Sequence, residues 1–155
     1  MPGAGDTYAA LRANALDAGD ALPTPAPEHP RVSGVVVDVP ASNGYATVVA
    51  MTDDTTSMYT SSGGGTIGAG AHAPVSTATH ALLAAVDRQL DQFAPGGQPT
   101  LPPAGSVRFH VLTPEGPAAA DVPEAAFWGK LDHPLMPVIA ATQHVISAIR
   151  EASGG

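Results

Sequence analysis

The spacing of hydrophobic positions changes several times along the chain, and each spacing predicts a different kind of element. A β-branched run at residues 32–39 predicts a mostly buried strand, because Val35, Val36 and Val37 follow one another without a polar residue between them. Other short β-branched or alternating runs, bounded by turn residues, predict further strands. The predicted strands cover residues 32–39, 45–51, 55–61, 107–113 and 118–122.

Two longer stretches have apolar residues at every third or fourth position, which is the spacing of a single helix face. The first stripe runs from Val75 to Phe93, and Pro74 before it suits the first helical turn. The second stripe lies within residues 135–151. Residues 6–18 predict a short additional helix with a thin apolar face.

Turn signals between neighbouring strands predict hairpins. Asn43-Gly44 separates the first two strands, and residues 114–117 separate the last two. Hairpins make neighbouring strands antiparallel, and one-sided helices must bury their stripe against a sheet. The sequence therefore predicts an α+β fold, with an antiparallel sheet of about five strands, two main helices packed on it and a short N-terminal helix.

Four prolines between residues 22 and 30 predict an extended segment, because proline fixes its own backbone and restricts the residue before it. We interpret this segment as a spacer between the short helix and the main body. The predicted organisation has three parts. Residues 1–30 are the N-terminal helix and Pro-rich linker, residues 31–151 are a single α+β domain, and residues 152–155 are a tail.

The element order resembles that of the roadblock and profilin-like group of small domains, which includes longin domains. The features that carry this resemblance are the valine strand at 35–37, the Asp53-Asp54 turn and the helix from Pro74, within residues 31–151. The resemblance implies a small α+β subunit of an assembly. Two features depart from the group: only two strands are predicted between the last two helices, and a glycine run precedes the first of them.

Charge and composition narrow the possible functions. Six basic residues are scattered among fourteen acidic ones, giving a formal net charge of −8, so we expect no nucleic-acid binding. The absence of cysteine excludes disulfides, thiolate metal sites and cysteine nucleophiles. Residues 1–20 have no signal-peptide pattern and no 18-residue apolar run occurs, so we predict a cytoplasmic location without membrane insertion.

A glycine-rich segment before the first long helix is the most unusual local feature. Its spacing matches a dinucleotide-binding fingerprint, but that fingerprint must open a helix, and here the helix opens at Pro74, six residues after the last glycine of the motif. A structural turn and a contact loop for a partner, small molecule or anion remain as alternatives. The candidate contact residues are Gly63, Gly64, Gly65, Thr66, Gly68, Gly70 and His72.

No residue pattern predicts catalysis. A Gly-x-Ser-x-Gly elbow is missing, and no histidine pair has the spacing of a helical zinc motif. We therefore predict no catalytic residues, no metal and no cofactor. Phe127 and Trp128 are the only clustered aromatic residues, and they are interpreted either as core anchors or as a partner contact.

These observations favour a non-enzymatic protein-interaction or assembly module, acting as a homodimer or with a protein partner. The alternative is a small-molecule or anion-binding domain that uses the glycine-rich loop at 63–70. A hydrolase or metalloenzyme is the more remote alternative.

Overall fold

The described residues form one α+β domain built on a single antiparallel sheet. In this computed structural model they are residues 23–41, 44–61, 65–66, 69–96 and 100–152, together with Ala13 and Leu16. The strands are β1 (Gly34–Ala41), β2 (Gly44–Met51), β3 (Thr56–Thr60), β4 (Gly65–Thr66), β5 (Ala94–Pro95), β6 (Ser106–Thr113) and β7 (Gly116–Pro123). The helices are α1 (Ala73–Arg88), α2 (Glu124–Phe127) and α3 (Met136–Ala152).

β1 lies at the centre of the sheet, whose strand order is β4-β3-β2-β1-β6-β7-β5. Every pairing is antiparallel. Val36 of β1 is opposite Val49 on β2 and His110 on β6. Because side chains alternate along a strand, this register assigns each residue of the central strands to one of two faces.

The first face of the sheet carries the main core, under α1 and α3. Val35 and Val37 of β1 pack there with Phe109 of β6, Leu82 of α1 and Ile149 of α3. The apolar stripes of both helices point toward this face, as their spacing predicts. The two long helices therefore lie side by side on one layer of sheet.

The second face carries a smaller apolar cluster of Val36, Val49, Met51, Tyr59 and Leu112. Leu16 and Tyr45, both partly buried, pack against this cluster. β1 is therefore buried on both faces, which explains why its valines follow one another without alternation.

The predicted fold class is correct, but the predicted strand count is not. Five strands of five or eight residues overlap the five predicted ones. Two further strands, β4 and β5, have two residues each and pair at opposite edges. Segments this short leave no alternating pattern in a sequence.

Helical segments also differ in detail from the prediction. α1 ends at Arg88, and a separate 3-10 turn over Leu90–Gln92 brings Phe93 into the core. The short helix α2 was not predicted. Most of the predicted N-terminal helix lies outside the described residues, although Ala13 and Leu16 are helical.

The proline-rich segment is only partly extended. Residues 23–26 have no regular structure, but residues 27–31 form turns, and a hydrogen bond of 3.0 Å joins the His29 amide to the Ala26 carbonyl. His29 is fully buried. The part of the segment next to β1 therefore packs into the domain, while the predicted domain boundaries and the roadblock-like resemblance stay predictions.

Candidate functional site

An apolar groove of about 530 Å³ opens at the end of the sheet where β1 and β2 meet. Residues from three strands and two helical segments surround it. Its lining is mostly apolar, with three polar side chains: Val39, Pro40, Ala41, Ala46, Val48, Met58, Glu124, Trp128, Gln143, Ile146 and Arg150. A pocket of this size and character is typical of a binding site.

The groove exists because neighbouring elements carry small side chains where they diverge. Ala41 and Ala46 line the end of the β1–β2 hairpin. Opposite them, Gln143, Ile146 and Arg150 follow one another at helical spacing along α3. The strands provide one apolar wall, and one stripe of α3 provides the other.

Trp128 is the most exposed large apolar residue of the groove, with 49% of its surface accessible. Its ring meets the buried Phe127 ring edge-on, with centroids 5.1 Å apart and planes at 85°. Phe127 in turn packs against Phe109 of β6, at a centroid distance of 6.3 Å. The sequence left two roles open for the pair, and here Phe127 lies in the core while Trp128 faces solvent.

The C-terminal end of α2 holds Trp128 in place. The amide of Gly129 donates to the Ala126 carbonyl at 3.1 Å, and the amide of Lys130 donates to the Ala125 carbonyl at 2.8 Å. Gly129 has a φ of +78°, which favours glycine. This pair of bonds with a left-handed glycine is a Schellman cap, so the backbone at Trp128 is well defined.

Two charges of opposite sign line the groove, Glu124 of α2 and Arg150 of α3. The side-chain amide of Gln143 donates from Nε2 to the Phe127 carbonyl at 2.9 Å and ties α3 to the end of α2. The groove can therefore take an apolar group and still offer polar partners at its margin.

The glycine-rich loop is only partly described. Gly65 and Thr66 pair with Tyr59 and Met58 as strand β4. A side chain at Gly70 would collide with the Asp54 carbonyl, so this glycine permits close packing on the β2–β3 turn. His72 is exposed just before α1, and its carbonyl accepts bonds of 3.1 and 3.0 Å from the Val75 and Ser76 amides. Gly63, Gly64 and Gly68 lie outside the described residues.

A polar cluster of Asp38, Thr47 and His110 lies buried within the sheet. His110 Nε2 is 2.8 Å from Oδ2 of Asp38, and the Thr47 hydroxyl donates to Oδ1 of Asp38 at 2.8 Å. All three residues are buried. Because they are closed off from solvent, they satisfy one another as a structural network.

Arg108 lies beside this cluster and makes several hydrogen bonds with its guanidinium group. It makes two hydrogen bonds to Asp121, of 2.7 and 2.9 Å, and reaches the carbonyl and hydroxyl of Thr100. The bonds to Asp121 raise the pKa of the Arg108 guanidinium. The Arg108 side chain therefore holds the loop before β6 against the sheet, which is a structural role.

Another polar cluster joins His29, Asp54, Ser76 and His80, from three separate segments of the chain. In the part of the chain that the structure describes, no group of three or more acidic or histidine side chains is arranged to hold a metal ion. The described helices also include none with the length and apolar character needed to cross a membrane.

No protein-family model matches this chain, and no curated protein or solved structure is significantly similar to it.

Sequence reasoning missed most of these groupings for identifiable reasons. The groove joins residues that are far apart in sequence and carries no motif. The pairing of His29 with His80 spans 51 positions and leaves no spacing signal. Asp38 did leave one signal, because a lone carboxylate inside an apolar strand predicts a buried polar partner.

Proposed function

We propose that this protein is a non-enzymatic interaction module whose contact surface is the groove beside Trp128. The observation that carries the proposal is the half-exposed Trp128 ring, backed by Phe127 at the edge of an apolar groove. Tryptophan is strongly enriched among residues that dominate binding energy at protein interfaces.

Rigid placement of Trp128 supports this role. The Schellman cap fixes the Trp128 backbone, and the Phe127 ring restricts its side chain. Little conformational entropy is then lost when a partner covers the ring, which increases the affinity obtained from a given contact area.

The partner that fits is a protein segment with an apolar face and a net positive charge. The groove itself offers an apolar floor and one charge of each sign. The whole chain has a formal net charge of −8, which attracts a basic segment over a distance. A second copy of this chain brings the same negative charge and is the less favourable occupant.

Selection from a displayed random-peptide library tests this proposal. We expect enriched peptides to combine apolar residues with Lys or Arg, and to bind more weakly as the salt concentration rises. Trp128→Ala should weaken their binding by about 2 kcal/mol, roughly 30-fold. The matched control is Leu131→Ala, since Leu131 is 52% exposed but does not line the groove.

Equal binding of the selected peptides to the wild type and the Trp128→Ala variant would refute the groove as the contact surface. Sedimentation of both proteins without peptide identifies the competing occupant. If the wild type self-associates and the Trp128→Ala variant does not, the occupant of the groove is a second copy of the chain and not a basic segment.

A further inference from the structure

Two histidines from distant parts of the chain point ring nitrogens at each other. His29 is fully buried just before β1, while His80 lies on α1 with 33% of its side chain exposed. His29 Nε2 is 3.0 Å from His80 Nδ1, and the ring planes differ by 24°. The centroids are 5.3 Å apart, so the rings of this histidine pair meet edge to edge rather than face to face.

The outer nitrogen of each ring faces a group that accepts hydrogen bonds. His29 Nδ1 is 3.1 Å from the Val32 carbonyl oxygen. His80 Nε2 is 2.8 Å from Oδ1 of Asp54, which also accepts a bond of 2.7 Å from the Ser76 hydroxyl. Hydrogen bonds from Ser76 and His80 hold the pKa of Asp54 below its usual value, so its side chain is a carboxylate. Both outer nitrogens must therefore carry a hydrogen.

The two inner nitrogens, His29 Nε2 and His80 Nδ1, need a hydrogen between them. A neutral imidazole carries one N–H, and in both rings that hydrogen is used on the outer side. Two neutral rings would then place two lone pairs against each other at 3.0 Å, between His29 and His80. One additional proton between the inner nitrogens turns this repulsion into a hydrogen bond. All three hydrogen bonds can therefore be made together only when the two rings share one proton more than two neutral rings carry.

The charge of that proton is balanced by Asp54, which is the carboxylate in hydrogen-bond contact with the pair. Arg31 and Asp87 neutralise each other in an ion pair of 3.2 Å, and the backbone amide of Arg31 also donates to Asp87 at 2.7 Å. The remaining titratable groups on the elements packed around the pair are Glu28, Asp53, His72, Arg88 and, on α3 against α1, His144, Arg150 and Glu151.

The backbone at Asp54 is one that its side chain tolerates. Its φ of +73° is a left-handed conformation, which aspartate and asparagine adopt more readily than most residues with a Cβ. Aspartate at this position keeps a carboxylate against His80 and Ser76.

We infer that the histidine pair and Asp54 form a pH-operated latch that ties residues 23–32 to α1 and to the β2–β3 turn. With the extra proton, all three hydrogen bonds are made: from His29 to the Val32 carbonyl, between His29 and His80, and from His80 to Asp54. Without it, one bond is lost and a buried nitrogen of His29 is left facing a lone pair, which favours release of the segment. Release ends at Val32, which is fully buried in the main core, and at Ser33, whose backbone is bonded to Leu112 at 2.8 Å and Thr52 at 2.9 Å.

Ring ¹⁵N and amide-exchange NMR on the full chain test the latch between pH 5 and 9. We expect His29 and His80 together to lose a single proton, and the protection of the amides within residues 29–32, which are those of His29, Arg31 and Val32, to fall as they do. Because one proton is released, opening of the segment should increase by at most tenfold per pH unit, and only over the interval in which the pair loses that proton. Substitution of the exposed residues by His72→Gln or His144→Gln should leave this trend unchanged.

Asp54→Asn is the discriminating variant, since asparagine tolerates the left-handed backbone and has the same shape. Its amide group can donate to a neutral His80, which removes the need for the extra proton. Protection at residues 29–32 should therefore become independent of pH. Protection that keeps the wild-type pH dependence in this variant would overturn the inference.

Two results in the wild type would also overturn it. One is independent titration of the two rings, with no change in protection at residues 29–32. The other is amide protection at residues 29–32 that rises with pH when no chelator has been added. That result would indicate a metal bound by the two histidines, because metal binding strengthens as histidines lose protons.

Discussion

At the residue scale, Asp54 links three features that the sequence presents separately. Its side chain accepts hydrogen bonds from Ser76 and His80, and its carbonyl packs against Gly70. Asp53 and Asp54 lie in the predicted turn, where the Asp53 carboxylate accepts a local bond of 3.0 Å from the Thr55 amide. Asp54 instead connects the turn to α1.

The Ser76→Ala substitution should raise the pKa of Asp54 toward its usual value, because the bond from Ser76 is the largest cause of the lowered pKa. A carboxyl with a lowered pKa in the folded state stabilises the protein above its unfolded-state pKa, and this stabilisation is lost as pH falls through the folded-state pKa. The variant should therefore be less stable than the wild type at pH 6, and the difference should disappear in strong acid.

Carboxyl ¹³C titration and denaturant unfolding at both pH values measure these effects. Thr77→Ala is the control, since Thr77 is an exposed neighbour on α1 and gains helix propensity in the same way. An unchanged Asp54 titration in Ser76→Ala would contradict the prediction.

At the scale of elements, the ends of helices and strands decide where the groove lies. α2 is only four residues long, yet its cap places Trp128 at the edge of the groove. The hairpin of β1 and β2 ends in small residues that leave space below α3.

Gly129→Ala should destabilise the protein by about 1 kcal/mol, because a left-handed backbone is unfavourable for residues with a Cβ. No neighbouring atom lies within reach of that Cβ, so the cost is conformational and not steric. Gly129→Asn should recover much of the loss, since asparagine accepts this conformation. Denaturant unfolding, with the emission of the single tryptophan as probe, measures both stability and the surroundings of Trp128.

A Gly129→Ala variant as stable as the wild type would show that the cap does not constrain Trp128.

The elements that sequence predicts well are those with a long, regular apolar pattern. The five long strands and the two main helices follow directly from such patterns, as does their antiparallel, one-sided packing. The edge strands β4 and β5 and the helix α2 are too short to leave a pattern. The groove and the histidine pair each join residues that are distant in sequence. The residues next to Trp128 and His29 in the sequence therefore do not indicate either of them.

At the scale of the molecule, the residues before β1 are more closely attached than a spacer would be. His29 is fully buried, and Arg31 binds Asp87 of α1. Leu16 packs on the second face of the sheet. The domain body and its N-terminal flank therefore share contacts on both sides of β1.

A chain starting at residue 31 should fold but should be less stable than one starting at residue 27. The shorter chain lacks His29, whose burial and hydrogen bonds contribute about 2 kcal/mol. Thermal and denaturant unfolding of the two truncated chains measure the difference. Equal stability would mean that the contacts of His29 contribute nothing to folding, and failure of both chains to fold would place essential contacts before residue 27.

The central position of β1 also sets the order in which the sheet can be completed during synthesis. β2 and β3 follow β1 directly, but Gly34 pairs on its other side with Leu112 of β6. Roughly 50 further residues must be translated after β3 before that partner emerges, which takes several seconds at ribosomal rates of about 5–20 residues per second. During that interval one edge of an apolar valine strand is unpaired, and it is the part of the nascent chain most exposed to wrong pairing with another strand.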